Sequence, residues 1–236
     1  MANLTQLKML EDLEGVLLVD KPAGLAFSTV VKTVKRKFNL VKVGHGGSLD
    51  AMASGLLVLL IGDANKAVGD IMGADREYTG TIRWGVKTDT HDVCGRTLET
   101  REAPEASALK AKVDAVMPEF SGDIFQTESR FCSVRKEGSS GYEVADTGEH
   151  KPFMAHVYRF DVDGGAFRVI GTKGVLVKTL VNDLGAAVGC GAALESLRRT
   201  RVGNMSVADA LPFDRLLETE IGDFASCVRP LSSVLR

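Results

Sequence analysis

The sequence predicts an α+β fold. Three observations carry that prediction. Strand-like and helix-like segments are mixed without a regular βαβ rhythm, which argues against a doubly wound sheet. The chain has 236 residues, enough for one large domain or for one domain with a small appendage. No internal repeat or low-complexity linker divides it.

The elements follow in order. Residues 15–20 (GVLLVD) read as a short buried strand, and Lys21-Pro22-Ala23-Gly24 breaks it as a turn. Ser28 is placed to cap a helix, because Val30, Val31, Val34 and Phe38 fall near helical spacing. The other face of that helix carries Lys32, Lys35, Arg36 and Lys37, and such a run is first of all a solvated face. Residues 39–50 are too rich in glycine to be helix throughout. Residues 55–62 (GLLVLLIG) suit a buried strand or the buried end of a helix, and are too few to span a bilayer. Residues 78–84 alternate as a strand does, and residues 88–95 (TDTHDVCG) have the composition of an irregular loop. Residues 104–116 have helical spacing, with Pro104 near the start and Pro118 just past the end. Residues 157–162 and 166–170 form a hairpin pattern across Asp163-Gly164-Gly165. Residues 179–188 read as an amphipathic helix with Gly189 as its C-cap. Residues 191–198 read as the start of another helix, and Ser206 caps a short one.

Composition narrows the function classes. The chain is 44% hydrophobic and 25% charged, close to the globular average, which excludes a largely disordered chain. The 29 Lys and Arg are balanced by 31 Asp and Glu, for a formal net charge of −2, so any basic surface must be local. Cys94, Cys132, Cys190 and Cys227 show no C-x-x-C pairing, which argues against a zinc site or a disulfide framework and fits reduced thiols. Residues 1–14 are polar and lack the apolar core of a signal peptide. A soluble cytoplasmic protein is the expectation.

The chemistry concentrates in Gly44-His45-Gly46-Gly47-Ser48-Leu49-Asp50. Glycines let backbone approach a ligand closely. Asp50 ends that run and is followed by the apolar residues 51–61, so its carboxylate is expected to be partly desolvated. That environment suits a nucleophile or a general base. On spacing alone, a helix-capping aspartate in a tight turn is the plainer alternative. The glycines do not form G-x-G-x-x-G, and no Gly-Lys-Ser/Thr follows them, so a dinucleotide or P-loop site is disfavoured. His45, His91, His150 and His156 contain no i, i+4 pair, which disfavours a helical metal site. No G-x-S-x-G elbow is present.

Larger pieces then fall into a pattern. Asp20-Lys21-Pro22-Ala23-Gly24 is followed by residues 44–50, by Ala53-Ser54-Gly55 and by Gly62-Asp63-Ala64-Asn65-Lys66. Tyr78, residues 88–95, Phe120-Ser121-Gly122 with Gln126, and Tyr142-Glu143 with Ala145 and Gly148 come next. Lys173-Gly174, Asp183-Leu184-Gly185 and Leu197-Arg198-Arg199 complete the set. Each piece is weak, but in this order, from about residue 15 to residue 211, they resemble the TruB family of pseudouridine synthases. The resemblance implies conversion of the T-loop uridine of tRNA, position 55, into pseudouridine, with no metal and no organic cofactor. The target base is stacked in a folded loop, so it must be flipped out at a cost of roughly a few kcal/mol. It also implies a pseudouridine synthase fold, a bent mixed sheet flanked by helices, with a central RNA-binding cleft and Asp50 at its floor. The expected division is an N-terminal extension (1–14), a catalytic domain (15–211) and a short tail (212–236) without a PUA domain. A monomer acting on the T arm of tRNA is expected.

The resemblance assigns roles residue by residue. Asp50 aligns with the catalytic aspartate, attacking either base or sugar. Tyr78 aligns with the aromatic that stacks on the flipped base, His45 with a histidine that supports the flipped-out RNA, and Leu197 with an apolar contact of the uracil pocket. Lys21, Lys32, Lys35, Arg36, Lys37, Arg198, Arg199 and Arg201 become candidate RNA contacts, which would make affinity salt-dependent. Four departures stand out. Ala51 replaces a proline, which is expected to loosen the turn. Lys178 replaces the arginine that pairs with the catalytic aspartate, keeping charge but not the planar fork. Leu176 replaces a tyrosine in the substrate site. Residues 128–135 lack two prolines of the family pattern. These departures keep a second reading open, a non-catalytic TruB-like body that binds structured RNA. A hydrolase using Asp50 with His45 is a weaker third, since no further orienting group is visible.

Overall fold

The computed structural model describes Leu10, residues 12–135 and residues 142–234. Most of the expected extension 1–14 therefore lies outside the described residues. In chain order the elements are β1 (Gly15–Lys21), α1 (Phe27–Lys37), β2 (Val43–His45), β3 (Ser54–Ile61), α2 (Val68–Gly73), β4 (Arg76–Trp84), β5 (Val86–Thr88) and β6 (Thr97–Thr100). They continue with α3 (Ala106–Val116), β7 (Gly122–Gln126), β8 (Phe131–Arg135), β9 (Tyr142–Asp146), β10 (Phe153–Asp163), β11 (Ala166–Gly171), α4 (Val177–Val188) and β12 (Ala192–Val202). Last come β13 (Met205–Ser206), β14 (Leu211–Pro212), α5 (Phe213–Glu218) and α6 (Phe224–Cys227). Mixed sheet with flanking helices makes the class α+β, as the sequence predicts. The chain forms two compact units, residues 1–74 with 199–236, and residues 75–198.

In the first unit β1 pairs antiparallel with β3, from Gly15↔Ile61 to Lys21↔Gly55, and parallel with β14. Strand alternation sends neighbouring side chains to opposite faces. Leu17, Val19, Leu57, Leu59 and Ile61 pack on one face against Val30, Val34 and Phe38 of α1. Val16, Leu18, Leu56, Val58 and Leu60 pack on the other against Ile71, Val202 and Met205. Both strands are buried on both faces, which is why residues 15–20 and 55–62 read as unbroken apolar runs. The residues beyond 211 are not a tail apart from this core. Phe213, Leu216 and Phe224 belong to it, and the Phe224 ring stacks on Phe38 at 3.7 Å.

In the second unit the strand order is β12–β4–β11–β10–β7, with β5–β6 and β8–β9 as separate hairpins. The hairpin of β10 and β11 turns across Gly164 and Gly165, as the pattern predicts. Helix α4 ends at Gly189, whose φ of 88° is the left-handed cap expected from the sequence. The short turn after Ser206 is capped as expected, with the Ser206 hydroxyl accepting from Ala208 N–H.

Two expectations are corrected. Residues 191–198 are not the start of a helix but most of strand β12. Leu197 and Arg199 are buried while Arg198 and Thr200 between them are half-exposed, the two-residue period of a strand. Ser28 does not cap α1. Ala26 is the N-cap, in extended conformation, and its carbonyl already accepts from Val30 N–H, so Ser28 lies inside the first turn.

Phe224→Ala should cost about 3–5 kcal/mol of stability, the range for deleting a fully buried aromatic ring. Urea unfolding checks this, and a cost below about 1 kcal/mol would show that the C-terminal segment is not part of the core.

Candidate active site

The first unit carries the loop that ends in Asp50. His45 closes β2, and the chain then crosses Gly46, Gly47, Ser48 and Leu49. Gly46 lies so close to the Ile71 side chain that a Cβ would collide with it. The loop is held through its carbonyl groups by two buried cations. The Arg199 guanidinium donates to Leu56 O at 2.8 Å, Ser48 O at 2.8 Å and Gly47 O at 3.2 Å. The Lys21 ammonium donates to Leu25 O at 2.7 Å, Pro22 O at 2.9 Å and Ala51 O at 3.4 Å. Arg199 is 1% exposed and Lys21 0%. Burial lowers the Lys21 pKa to about 8, with Arg199 adding to the shift and the Asp50 carboxylate opposing it.

Two of the expected RNA contacts, Lys21 and Arg199, have their charged ends turned inward onto backbone carbonyls. Gly55 shows how tightly β12 lies on this loop. Its φ is +100°, and a Cβ there would strike the Arg199 backbone.

Asp50 itself is exposed, while Leu49, Ala51 and Ala53 around it are buried. The expected desolvation is therefore found in its neighbours and not in the carboxylate. The helix-cap alternative also fails, since Asp50 leads through a turn, Ala53 N–H to Asp50 O at 3.1 Å, into a strand. Ala51, in the proline's place, is 8% exposed and its carbonyl accepts from both Gly24 N–H at 2.7 Å and Lys21. Hydrogen bonding fixes the turn where the family uses a ring.

His45 Nδ1 accepts from Gly47 N–H at 3.4 Å, and its ring meets the edge of Phe27 at 4.8 Å. Burial, reinforced by the Arg199 charge, holds its pKa below the usual histidine value. It therefore stands as a neutral ring at physiological pH. On α1, Lys32, Lys35 and Arg36 are exposed, and Arg201 on β12 is too. Lys37 is half-buried, with its ammonium 5.3 Å from the centre of the Phe38 ring.

The second unit carries the remaining candidates. Tyr78 is half-buried in β4, opposite Val169 of β11. Leu197 is 8% exposed in β12, and Arg198 beside it is half-exposed. Leu176 is the N-cap residue of α4, and the buried Gln126 side chain clamps it. Gln126 accepts from Leu176 N–H and donates to Leu176 O, both at 3.0 Å. At the second position of that helix, Lys178 pairs with Asp92 at 2.7 Å.

Asp92 is fully buried in the loop after β5. Its Oδ1 accepts from the Thr90 hydroxyl and from Cys94 N–H, both at 2.9 Å. Asp89, also buried, accepts from Arg96 N–H and Arg96 Nε, both at 2.8 Å. Sequence reasoning quoted this Thr-Asp-Thr-His-Asp run and Gln126 without giving them work. The alternation of Thr and Asp was the available signal, since such side chains fold back on their own backbone. Residues 128–135, despite their missing prolines, are orderly. Ser129 donates to Asp89 O at 2.7 Å, Arg130 pairs with Asp146 at 2.9 Å, and β8 pairs with β9.

Comparisons with known proteins add the family. Residues 35–163 match the model of the TruB family pseudouridylate synthase N-terminal domain, and residues 178–236 match the tRNA pseudouridylate synthase B C-terminal domain. A protein of Opitutus terrae named tRNA pseudouridine synthase B is 39% identical over 214 residues, covering 87% of this chain and 88% of that relative. One of the same name from Burkholderia pseudomallei is 39% identical over 212 residues, covering 86% of this chain and 69% of the relative. Among solved structures, a chain of a Cbf5–Nop10–Gar1 complex superposes with a TM-score of 0.68 at 25% identity. That superposition covers 97% of this chain and 63% of the other. Motifs, fold and sequence agree that the chain belongs to the TruB family of pseudouridine synthases.

Proposed function

We propose that this protein isomerises the T-loop uridine of tRNA, position 55, to pseudouridine, with Asp50 as nucleophile. The observation that carries this reading is the contrast within one loop. The backbone of residues 47–51 is gripped by Arg199 and Lys21, while the Asp50 carboxylate is left exposed. A fixed backbone beneath an exposed carboxylate is what a pre-organised nucleophile requires. The names of the relatives favour the catalytic reading over a non-catalytic RNA-binding body.

In this reading the uridine leaves its stack, and the Asp50 carboxylate attacks the nucleoside at base or sugar. The bond from N1 to C1′ breaks, the uracil turns, C5 bonds to C1′, and the bond formed to the Asp50 carboxylate breaks to release it. A proton leaves C5 and one arrives at N1, so the step is an isomerisation that needs no oxidant or reductant. Tyr78 stacks on the base, Leu176 and Leu197 line its pocket, and neutral His45 supports the opened loop. Lys178 supplies the positive charge that the family's arginine brings, and the buried Asp92 holds that ammonium in place. Lys32, Lys35, Arg36, Arg198 and Arg201 meet phosphates. Among the described residues no helix is long and apolar enough to cross a membrane. We place the enzyme in the cytoplasm, acting as a monomer on the T arm.

The deciding experiment incubates the protein with an unmodified tRNA transcript and maps pseudouridine by carbodiimide-dependent primer extension. A stop at the T-loop uridine that Asp50→Ala abolishes is the expected result. Binding without a stop would overturn the catalytic reading. In single-turnover assays on the same transcript, Lys178→Met should slow the reaction about 10²–10³-fold, the usual loss for one electrostatic contact, while Lys178→Arg keeps most of it. Equal rates for Met and the wild type would remove Lys178 from the mechanism.

Lys21 generates a pH prediction. Its folded pKa of about 8 lies below the ordinary 10.5, so the unfolded chain binds the proton more tightly than the folded one. The Lys21 contribution to stability should therefore rise between about pH 8 and pH 10.5. The urea midpoint of the wild type should rise relative to that of Lys21→Met across that range, and a difference independent of pH would show that the Lys21 pKa is the ordinary one.

A further inference from the structure

A pocket of about 520 Å³ in the second unit has no part in the chemistry above. Its walls come from the 87–98 stretch, residues 125–131 and the start of α4. A cavity of that size takes one small organic ligand.

Its lining selects among ligands. Phe125 is 76% exposed and Leu98 60% exposed, so the pocket presents large apolar faces that a flat ring can cover. Two guanidinium groups approach the Phe131 ring, Arg96 at 5.9 Å and Arg130 at 5.5 Å. That arrangement is a cationic stacking surface. Lys87 adds an exposed ammonium. The His91 Nδ1 is buried and finds no hydrogen-bond partner among the described residues, and burial keeps the ring neutral. An orphan of this kind is costly unless a ligand meets it. Glu128 and Asp183 stand in the same wall. Two carboxylates repel a bare inorganic anion, but they accept hydrogen bonds from sugar hydroxyls and base amino groups.

From these groups we infer that the pocket binds one nucleotide unit. Its base stacks on Phe125 and Phe131, its hydroxyls meet the carboxylates, and its phosphate meets Lys87 and Arg96. The nucleotide comes from an unpaired position of the RNA or from a free mononucleotide, and the recognition chemistry is the same. The RNA source rests on the function proposed above; the free nucleotide does not.

The test uses the full chain and two surface variants, Phe125→Ala and Lys87→Gln, each first shown to unfold at the wild-type urea midpoint. Affinity is measured for an unmodified tRNA transcript and for 5′-AMP. If the RNA supplies the nucleotide, Phe125→Ala should weaken transcript binding about fivefold to 100-fold, the range for losing one base stack. Lys87→Gln should then lower the salt slope by about one. If a free nucleotide is the ligand, 5′-AMP should bind the wild type and fail to bind Phe125→Ala, with transcript affinity unchanged. Unchanged affinity for both probes in both folded variants overturns the inference. Pseudouridine is scored in the same samples. Its absence from the wild type would sink the proposed function while leaving the binding result to stand or fall separately.

Discussion

Two buried cations organise the loop that ends in Asp50. Lys21 at the end of β1 and Arg199 in β12 take the carbonyl groups of residues 47, 48 and 51, along with three others. Burying an ammonium and a guanidinium is costly, and their hydrogen bonds to carbonyl oxygen offset that cost only when every donor is placed. The placement in turn requires close backbone packing, which Gly46 and Gly55 allow by carrying no Cβ. With carbonyls of residues 47, 48 and 51 turned inward, the loop leaves the Asp50 side chain exposed. Charge is used here to fix a backbone, and the reactive group inherits the rigidity.

The second unit applies the same device with signs exchanged. Buried Asp89 and Asp92 gather the hydroxyl, N–H and guanidinium donors of their own loop, and Asp92 then holds Lys178. Gln126 adds a two-point clamp at Leu176, the residue before α4 begins. The start of α4 is thus anchored from two sides. A lysine in an arginine's position lacks the fork that orients itself against a carboxylate. Here the buried partner supplies the orientation that the side chain lacks.

How far the sequence could be read depends on whether an element's pattern is local. Strand β1 was legible as a strand, and β3 as a buried segment of strand or helix, because double-sided burial leaves an unbroken apolar run. The β10–β11 hairpin was legible from Gly164-Gly165, and α4 from its spacing and Gly189. Residues 191–198 misled because a short segment with apolar residues at Ala192, Ala193, Leu194 and Leu197 satisfies both periods. Arg199, a candidate RNA contact through the family resemblance, follows directly on this segment. Read as a strand, Arg199 shares the face of buried Leu197 and belongs inside.

The sequence by itself determined the α+β class, the identity of the family and the candidacy of Asp50, because those rest on residue types in a fixed order along the chain. Tertiary structure alone decided which charges are tools and which are scaffold. Lys21, Arg199, Lys35 and Arg36 are alike as letters, yet two lie buried on carbonyls and two stand in water. Burial is set by what packs from distant segments, such as Gly47, Ser48 and Leu56 around Arg199. No local window contains the residues on both sides of such a contact.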